Sequence, residues 1–306
     1  MFDTDGPVAE EIAGLWWFLL VVGTVMFVVF CAALVIALRR GRTGEGSRPA
    51  PTARSLRRWV VGWGAVAPAV VLVGVLVVTV VSMRALPAEA PPGALRVEVV
   101  GHQWWYEIRY PEEGVVTANE LHLPVGRPIE LELSSDDVIH SFWVPGLAGK
   151  LDMLPDRTNT LVLQADELGE HRTQCAEFCG LQHARMRLLT IVETDEDFEA
   201  WLDANGERAG EVSTPAARRG REVFGDAGCA SCHTVQGTDF AGADGPDLTH
   251  LASRATIGAV TLERTRSNLR GWIADPHTFK DGVLMPATEL SGEEMDALLA
   301  YLETLR

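Results

Sequence analysis

The chain has 306 residues, more than one ordinary domain needs, and 42 acidic against 26 basic side chains give it a net charge of −16. That balance argues against a nucleic-acid partner, and the charge is uneven: +2 over residues 1–90, −13 over 91–210 and −5 over 211–306. Acidity of this kind steers cationic partners or simply keeps an exposed domain soluble. Four of the cysteines form tight pairs (Cys175 with Cys179, Cys229 with Cys232) and Cys31 lies in an apolar run, which suits cofactor sites better than a disulfide scaffold.

From Ala13 to Leu38 no charged residue occurs, and Trp16 and Trp17 stand near the start as interfacial aromatics do. Arg39, Arg40, Arg42, Arg48, Arg54, Arg57 and Arg58 follow, opposed only by Glu45, and a second uncharged run covers Trp59–Met83. Its Pro68 is tolerable where neighbouring helices re-satisfy the freed carbonyl. The pattern predicts helices over about 13–38 and 59–83, a transmembrane hairpin within residues 1–90. The basic loop then stays in the cytoplasm, with the N-terminus and everything after Arg84 on the outer face. A cleaved signal peptide would want a basic start, which the first run lacks. Bulky Val28-Val29-Phe30 before Cys31 does not suit lipidation.

A proline-rich exit (residues 85–94) leads into β-type texture. Candidate strands are Leu95–Tyr110, Val115–Leu123, Ile129–Leu133, Val138–Trp143, Thr158–Leu163, His171–Gln174 and Met186–Val192, which together predict a β-sandwich over 91–205. Within the first lies Gly101-His102-Gln103-Trp104-Trp105-Tyr106, an aromatic cluster that core filling would explain in an arbitrary protein. His140 sits on a later strand. Cys175-Ala176-Glu177-Phe178-Cys179-Gly180-Leu181-Gln182-His183-Ala184-Arg185-Met186 then packs thiols, an imidazole and a thioether into one loop. Thiolate, imidazole and thioether together select copper over calcium, magnesium or zinc. A Cys175–Cys179 disulfide would account for two of these residues; copper accounts for all of them.

Asp195–Asn205 reads as a short acidic helix, residues 206–215 as a polar linker and Pro215–Phe224 as a helix, with a further domain over 216–306. A short flexible linker would hold the flanking domains at an effective concentration on the order of mM. Cys229-Ala230-Ser231-Cys232-His233 is CxxCH, the attachment signature of c-type haem, although CxxC pairs also occur in redox and zinc sites. His233 is placed to reach the iron, and Met285 in Leu284-Met285-Pro286 is the sixth-ligand candidate ahead of Met295, His250 and His277. Ser291-Gly292-Glu293-Glu294 is a capping box opening a last helix through Leu305.

His140…Cys175-x-Glu177-x-Cys179-x-x-x-His183-x-x-Met186 resembles the binuclear copper (CuA) site of subunit II of haem-copper cytochrome c oxidases. With the CxxCH segment behind it, the whole chain resembles the caa-type form, in which a cytochrome c is fused to the C-terminus. The resemblance implies a transmembrane hairpin, a cupredoxin-like β-sandwich and an all-α cytochrome c domain. It implies that Cys175 and Cys179 bridge the coppers, with His140, His183 and Met186 as terminal ligands and Glu177 binding through its carbonyl. It also implies a magnesium ion shared by the Glu177 carboxylate with subunit I. Gly-His-Gln-Trp supports the copper loop in the family, and Trp104 matches its electron-inlet aromatic, with Trp105 second. Lys150-Leu151-Asp152 and Pro155-Asp156-Arg157 resemble the segment facing subunit I, with Asp156 where glycine is commoner. Gly245-Pro246-Asp247-Leu248 resembles the loop that packs on haem c and holds its proximal histidine.

The function so implied is electron input to a proton-pumping terminal oxidase of the bacterial plasma membrane. Electrons pass from cytochrome c or a bc-type complex, by way of haem c and the copper pair, to haem in subunit I, where oxygen is reduced. The partners implied are subunit I, the other oxidase subunits and the lipid bilayer. Two alternatives remain at this point: the electron-input subunit of a copper-containing nitric oxide reductase, or a membrane-anchored redox shuttle.

Overall fold

Strictly alternating burial along Leu95–His102 and Pro128–Ser135 shows how the β body is built, one face of each strand turned into a core. A computed structural model of the chain describes residues 4–42 and 52–306; Glu45 and Arg48 of the basic stretch lie outside them. Residues 10–87 form one unit, and residues 88–306 form another together with the described residues before Glu10.

The first unit holds α1 (Pro7–Arg42), α2 (Ala53–Val61) and α3 (Ala67–Ala85), with a π turn at Gly62–Val66 between the last two. α1 and the α2–α3 run are each long and apolar enough to cross a membrane, and most of their large apolar side chains face outward. Both extend beyond the expected 13–38 and 59–83, because helical hydrogen bonding continues past the last apolar turn; Thr52 caps α2 by accepting from Ser55 N–H at 3.3 Å. Pro68 follows directly on the π turn. The Ala67 N–H reaches back to Gly62 O across the π turn, which widens the helix just before the ring.

The second unit begins its β body with β1 (Leu95–His102), β2 (Trp105–Tyr110), β3 (Val115–Ala118), β4 (Glu120–Pro124) and β5 (Pro128–Ser135). β6 (His140–Phe142), β7 (Leu151–Met153), β8 (Asn159–Gln164), β9 (Gly169–Gln174) and β10 (Arg187–Glu193) follow. One sheet runs β3-β2-β1-β5-β8 and another β4-β10-β9, with β6 and β7 as a separate ribbon. β1 pairs in parallel with β5, setting Val97 beside Leu131 and Val99 beside Leu133, all fully buried. Two expected strands are each two strands here. Leu95–Tyr110 folds into the β1–β2 hairpin around Gln103 and Trp104, and Val115–Leu123 breaks at Asn119, whose φ of 61° lies in the left-handed region. Asp156 needs no such conformation; it sits in the turn closed by the Leu154–Arg157 bridge.

α4 (Asp195–Gly206) covers one end of the sandwich. Its Trp201 stacks on His122 at 4.0 Å and meets Tyr110 edge-on at 5.3 Å. The Tyr110 hydroxyl donates to His122 O at 2.8 Å and accepts from His122 N–H at 2.9 Å, tying β2 to β4. At the N-terminus, Asp5 N–H donates to Gly146 O and Asp166 N–H to Asp5 O, at 2.8 and 2.7 Å.

The C-terminal body packs α5 (Pro215–Asp226), α6 (Arg266–Ala274) and α7 (Gly292–Leu302) around Val223, Phe224, Leu298 and Tyr301. A small ribbon of β11 (Thr256–Ile257) and β12 (Leu262–Glu263) interrupts the helices. The capping box of α7 forms as expected, but the helix ends at Leu302 and Leu305 lies in the turn beyond it. The linker is not a loose tether: Ala209 N–H donates to Gln236 O at 3.0 Å, and Ala209 and Val212 pack on the helical core.

Candidate functional site

β6 delivers His140 into the β body, and the loop between β9 and β10 wraps around it. Cys175 N–H donates to Met186 O and Ala176 N–H to Ser141 O, both at 3.1 Å, so the loop is closed on itself and sewn to β6. The donor atoms converge: Cys175 Sγ to Cys179 Sγ 3.8 Å, Cys179 Sγ to His183 Nδ1 3.7 Å, Cys179 Sγ to Met186 Sδ 3.8 Å, and Cys175 Sγ to Glu177 O 3.2 Å. The ligand atoms of His140, Cys175 and Cys179 lie within 4.8 Å of one another. The two sulfurs are not bonded to each other. His140 Nδ1 is buried without a partner, while its Nε2 sits 2.7 Å from Asp137 Oδ1. A buried imidazole nitrogen left open among thiols, its other nitrogen held by a carboxylate, is how a protein prepares a metal-binding histidine. The residues therefore fit a copper pair in donor type and convergence. The Glu177 carboxylate joins no comparable cluster among the described residues.

Electrostatics agree. The bond from the Cys179 thiol, with His140 helping against burial, holds Cys175 down to about 3, and the same bond pushes Cys179 up. Burial works against ionising Asp137, but His140 and the N–H groups of Val138 and Gln103 outweigh it and hold the carboxyl low. Asp137 is the residue that sequence reasoning missed. Its signal was position alone, three residues before a candidate ligand.

The β1–β2 turn braces the loop from the other side. Gln103 Nε2 and Trp104 Nε1 both donate to Cys179 O, at 2.8 and 3.0 Å. Position 101 must be glycine, since a Cβ there would lie 2.8 Å from His140 Cδ2.

Trp104 has a second face. It lines a cavity of about 460 Å³ together with Cys229, Cys232, His233 and Met285. The two cysteines sit on a 3₁₀ turn just after α5. His233 Nδ1 donates to Pro246 O at 2.7 Å, which leaves Nε2 for iron, and burial lowers the pKa of the ring, favouring the neutral ligand form. Gly245 permits that approach, because a Cβ would lie 2.6 Å from the ring. Met285 is in the cavity, whereas Met295 is buried in the helical core, His250 bonds Glu207 O, and His277 is exposed. Thiols, an open imidazole nitrogen and a thioether around an apolar hollow fit a covalent haem. A second hollow of about 700 Å³ beside Arg221, Phe240 and Tyr301 holds none of these groups.

The two bodies meet through buried contacts. Trp105 and Ala118 pack with Ala259 of the helical body. The Glu120 carboxylate accepts the N–H groups of Ala255 and Thr256 at 2.8 and 2.9 Å, and Lys280 Nζ donates to Trp104 O at 3.1 Å.

Residues 114–193 match the family described as cytochrome c oxidase subunit II, periplasmic domain, and residues 217–306 match cytochrome c. The "Cytochrome c oxidase subunit 2" of Alkalihalophilus pseudofirmus is 34% identical over 312 residues, covering 99% of this chain and 90% of that protein. The chain belongs to the cytochrome c oxidase subunit 2 family. Its namesake in Bacillus subtilis is 30% identical over 325 residues, 97% of this chain and 90% of that one. The periplasmic domain of subunit II of cytochrome oxidase from Bradyrhizobium japonicum, 28% identical, covers 38% of this chain and 96% of its own, with a TM-score of 0.37. As a subunit 2 with a fused cytochrome c domain, the chain is an electron-input subunit of a terminal oxidase, membrane-anchored, with haem c and CuA as its cofactors and other oxidase subunits as its partners. The nitric oxide reductase and shuttle alternatives are not favoured.

Proposed function

We propose that this chain accepts electrons from cytochrome c or a bc-type complex on its C-terminal body and hands them across Trp104 to its copper loop, for delivery to haem in subunit I. Cys229 and Cys232 would hold the haem covalently, His233 and Met285 would ligate its iron, and His140, Cys175, Cys179, His183, Met186 and the Glu177 carbonyl would hold the copper pair. Bound there, the two groups supply one-electron carriers; this chain's residues fix their positions, keep water out and leave oxygen chemistry to subunit I. The observation that carries the reading is the placement of Trp104, which lines the haem cavity while its indole N–H bonds the carbonyl of Cys179.

The Glu177 carboxylate is proposed as this chain's contribution to a magnesium ion at the boundary with subunit I, and Lys150-Leu151-Asp152 as part of the segment that faces that subunit. Orientation follows the arginines: Arg39, Arg40, Arg54, Arg57 and Arg58 stay in the cytoplasm, and both redox bodies lie outside. Asp5 supports it, since its backbone is bonded to Gly146 and Asp166 of the β body, and those residues share one side of the membrane.

Redox titration of the intact oxidase, followed optically and by paramagnetic resonance, tests the reading. Covalent haem and copper signals on this chain are expected. Substituting Met186 should disturb the copper signal and leave haem absorbance alone; loss of both together would overturn the two-site reading.

A further inference from the structure

Lys280 follows the 3₁₀ turn Pro276–Thr278 and precedes Met285. Its side chain is only 2% exposed, and its ammonium has one hydrogen-bond partner among the described residues, the carbonyl of Trp104. No carboxylate pairs with it there. The charged groups acting on it are the cations Arg185 and Arg187 and the Cys179 sulfur; burial first, then Arg185, push its pKa down to about 8. A buried ammonium with three donors and a single acceptor is costly unless a counter-charge arrives. Arg254, the other buried cation on the same cavity, differs in having Glu120 and Asp247 for company.

Lys280 lines the hollow that holds Cys229, Cys232, His233 and Met285. The group those residues fit brings its own anions, the propionate carboxylates of haem. We propose that Lys280 binds a haem propionate and the Trp104 carbonyl at once, as a positioning residue that ties the haem to a residue whose side chain bonds the copper loop. The inference rests on the haem-site reading above. The backbone around Lys280 is anchored on both sides. Arg185 donates to Phe279 O and Gln182 to Asp281 O, so the backbone on either side of Lys280 is pinned to the copper loop.

The test uses the intact oxidase with Lys280→Gln and Lys280→Arg, read by redox titration of the haem. Gln keeps an N–H for the Trp104 carbonyl and removes the charge; Arg keeps the charge. A cation beside a propionate favours the reduced haem. The Gln variant should therefore show a lowered midpoint potential, and the Arg variant a potential near the parent's. A Gln variant with the parent's potential overturns the proposal, since loss of a cation bonded to the propionate must lower it. Should the Gln variant lose its haem, the propionate-bending band in resonance Raman spectra decides: it shifts between parent and Arg variant if Lys280 holds a propionate, and identical bands overturn the proposal. A parent chain without covalent haem would refute the haem-site reading itself, a distinguishable result.

Discussion

The Trp104 indole donates to the carbonyl of Cys179 at 3.0 Å, so a residue on the wall of the haem cavity is bonded to the backbone of a copper-bridging candidate. Trp104→Phe removes that bond and keeps an aromatic ring. Both cofactor spectra should persist while haem-to-copper transfer, followed after photoreduction of the haem, slows markedly. An unchanged rate would place the route elsewhere, with Trp105 the next residue to substitute.

Asp137 fixes the imidazole of His140. Removing such an outer carboxylate costs roughly 10- to 100-fold in metal affinity. Asp137→Asn should weaken copper retention by that factor in a chelator competition and leave haem absorbance intact.

The metal-free cysteine pair predicts a pH dependence. Cys175, held down to about 3, is ionised throughout the neutral range, whereas Cys179 is pushed up and keeps its proton. Copper uptake must displace that proton, so apparent affinity rises with pH, about tenfold per unit for one proton released. Proton release on titrating copper into the apo protein in weak buffer measures it directly.

Both exported bodies are net negative, yet their contact is built from Trp105, Ala118 and Ala259 and from charges bonded to buried backbone, Glu120 and Lys280. Salt screens exposed charges and leaves buried contacts nearly untouched. Intramolecular haem-to-copper transfer should accordingly hardly change with ionic strength in stopped-flow measurements, while transfer from a cationic external donor falls.

Much of this was legible in the sequence because cofactor chemistry demands fixed residue types at short spacing. Cys175 to Met186 lie on one loop and Cys229 to His233 on one turn, and the apolar helices announce themselves by length. Strand limits were harder. The alternation of Leu95–Tyr110 changes phase at Gln103, from apolar odd positions (95, 97, 99) to apolar even ones (104, 106, 108, 110), and that shift, like the left-handed residue Asn119, went unused because no Gly-Asn or Pro signal stands beside it. Glu120 and Lys280 were illegible because their partners come from other elements: Lys280 reaches across 176 residues of sequence to Trp104. Periodicity reports which face a residue takes, never what stands opposite.

Paramagnetic resonance of the intact oxidase, paired with metal analysis, bears most directly on the core of the account. The expected spectrum is one unpaired electron shared over a binuclear copper centre, alongside a covalent haem on the same chain. Zinc, an isolated copper ion, or a Cys175–Cys179 disulfide in matured protein would contradict it.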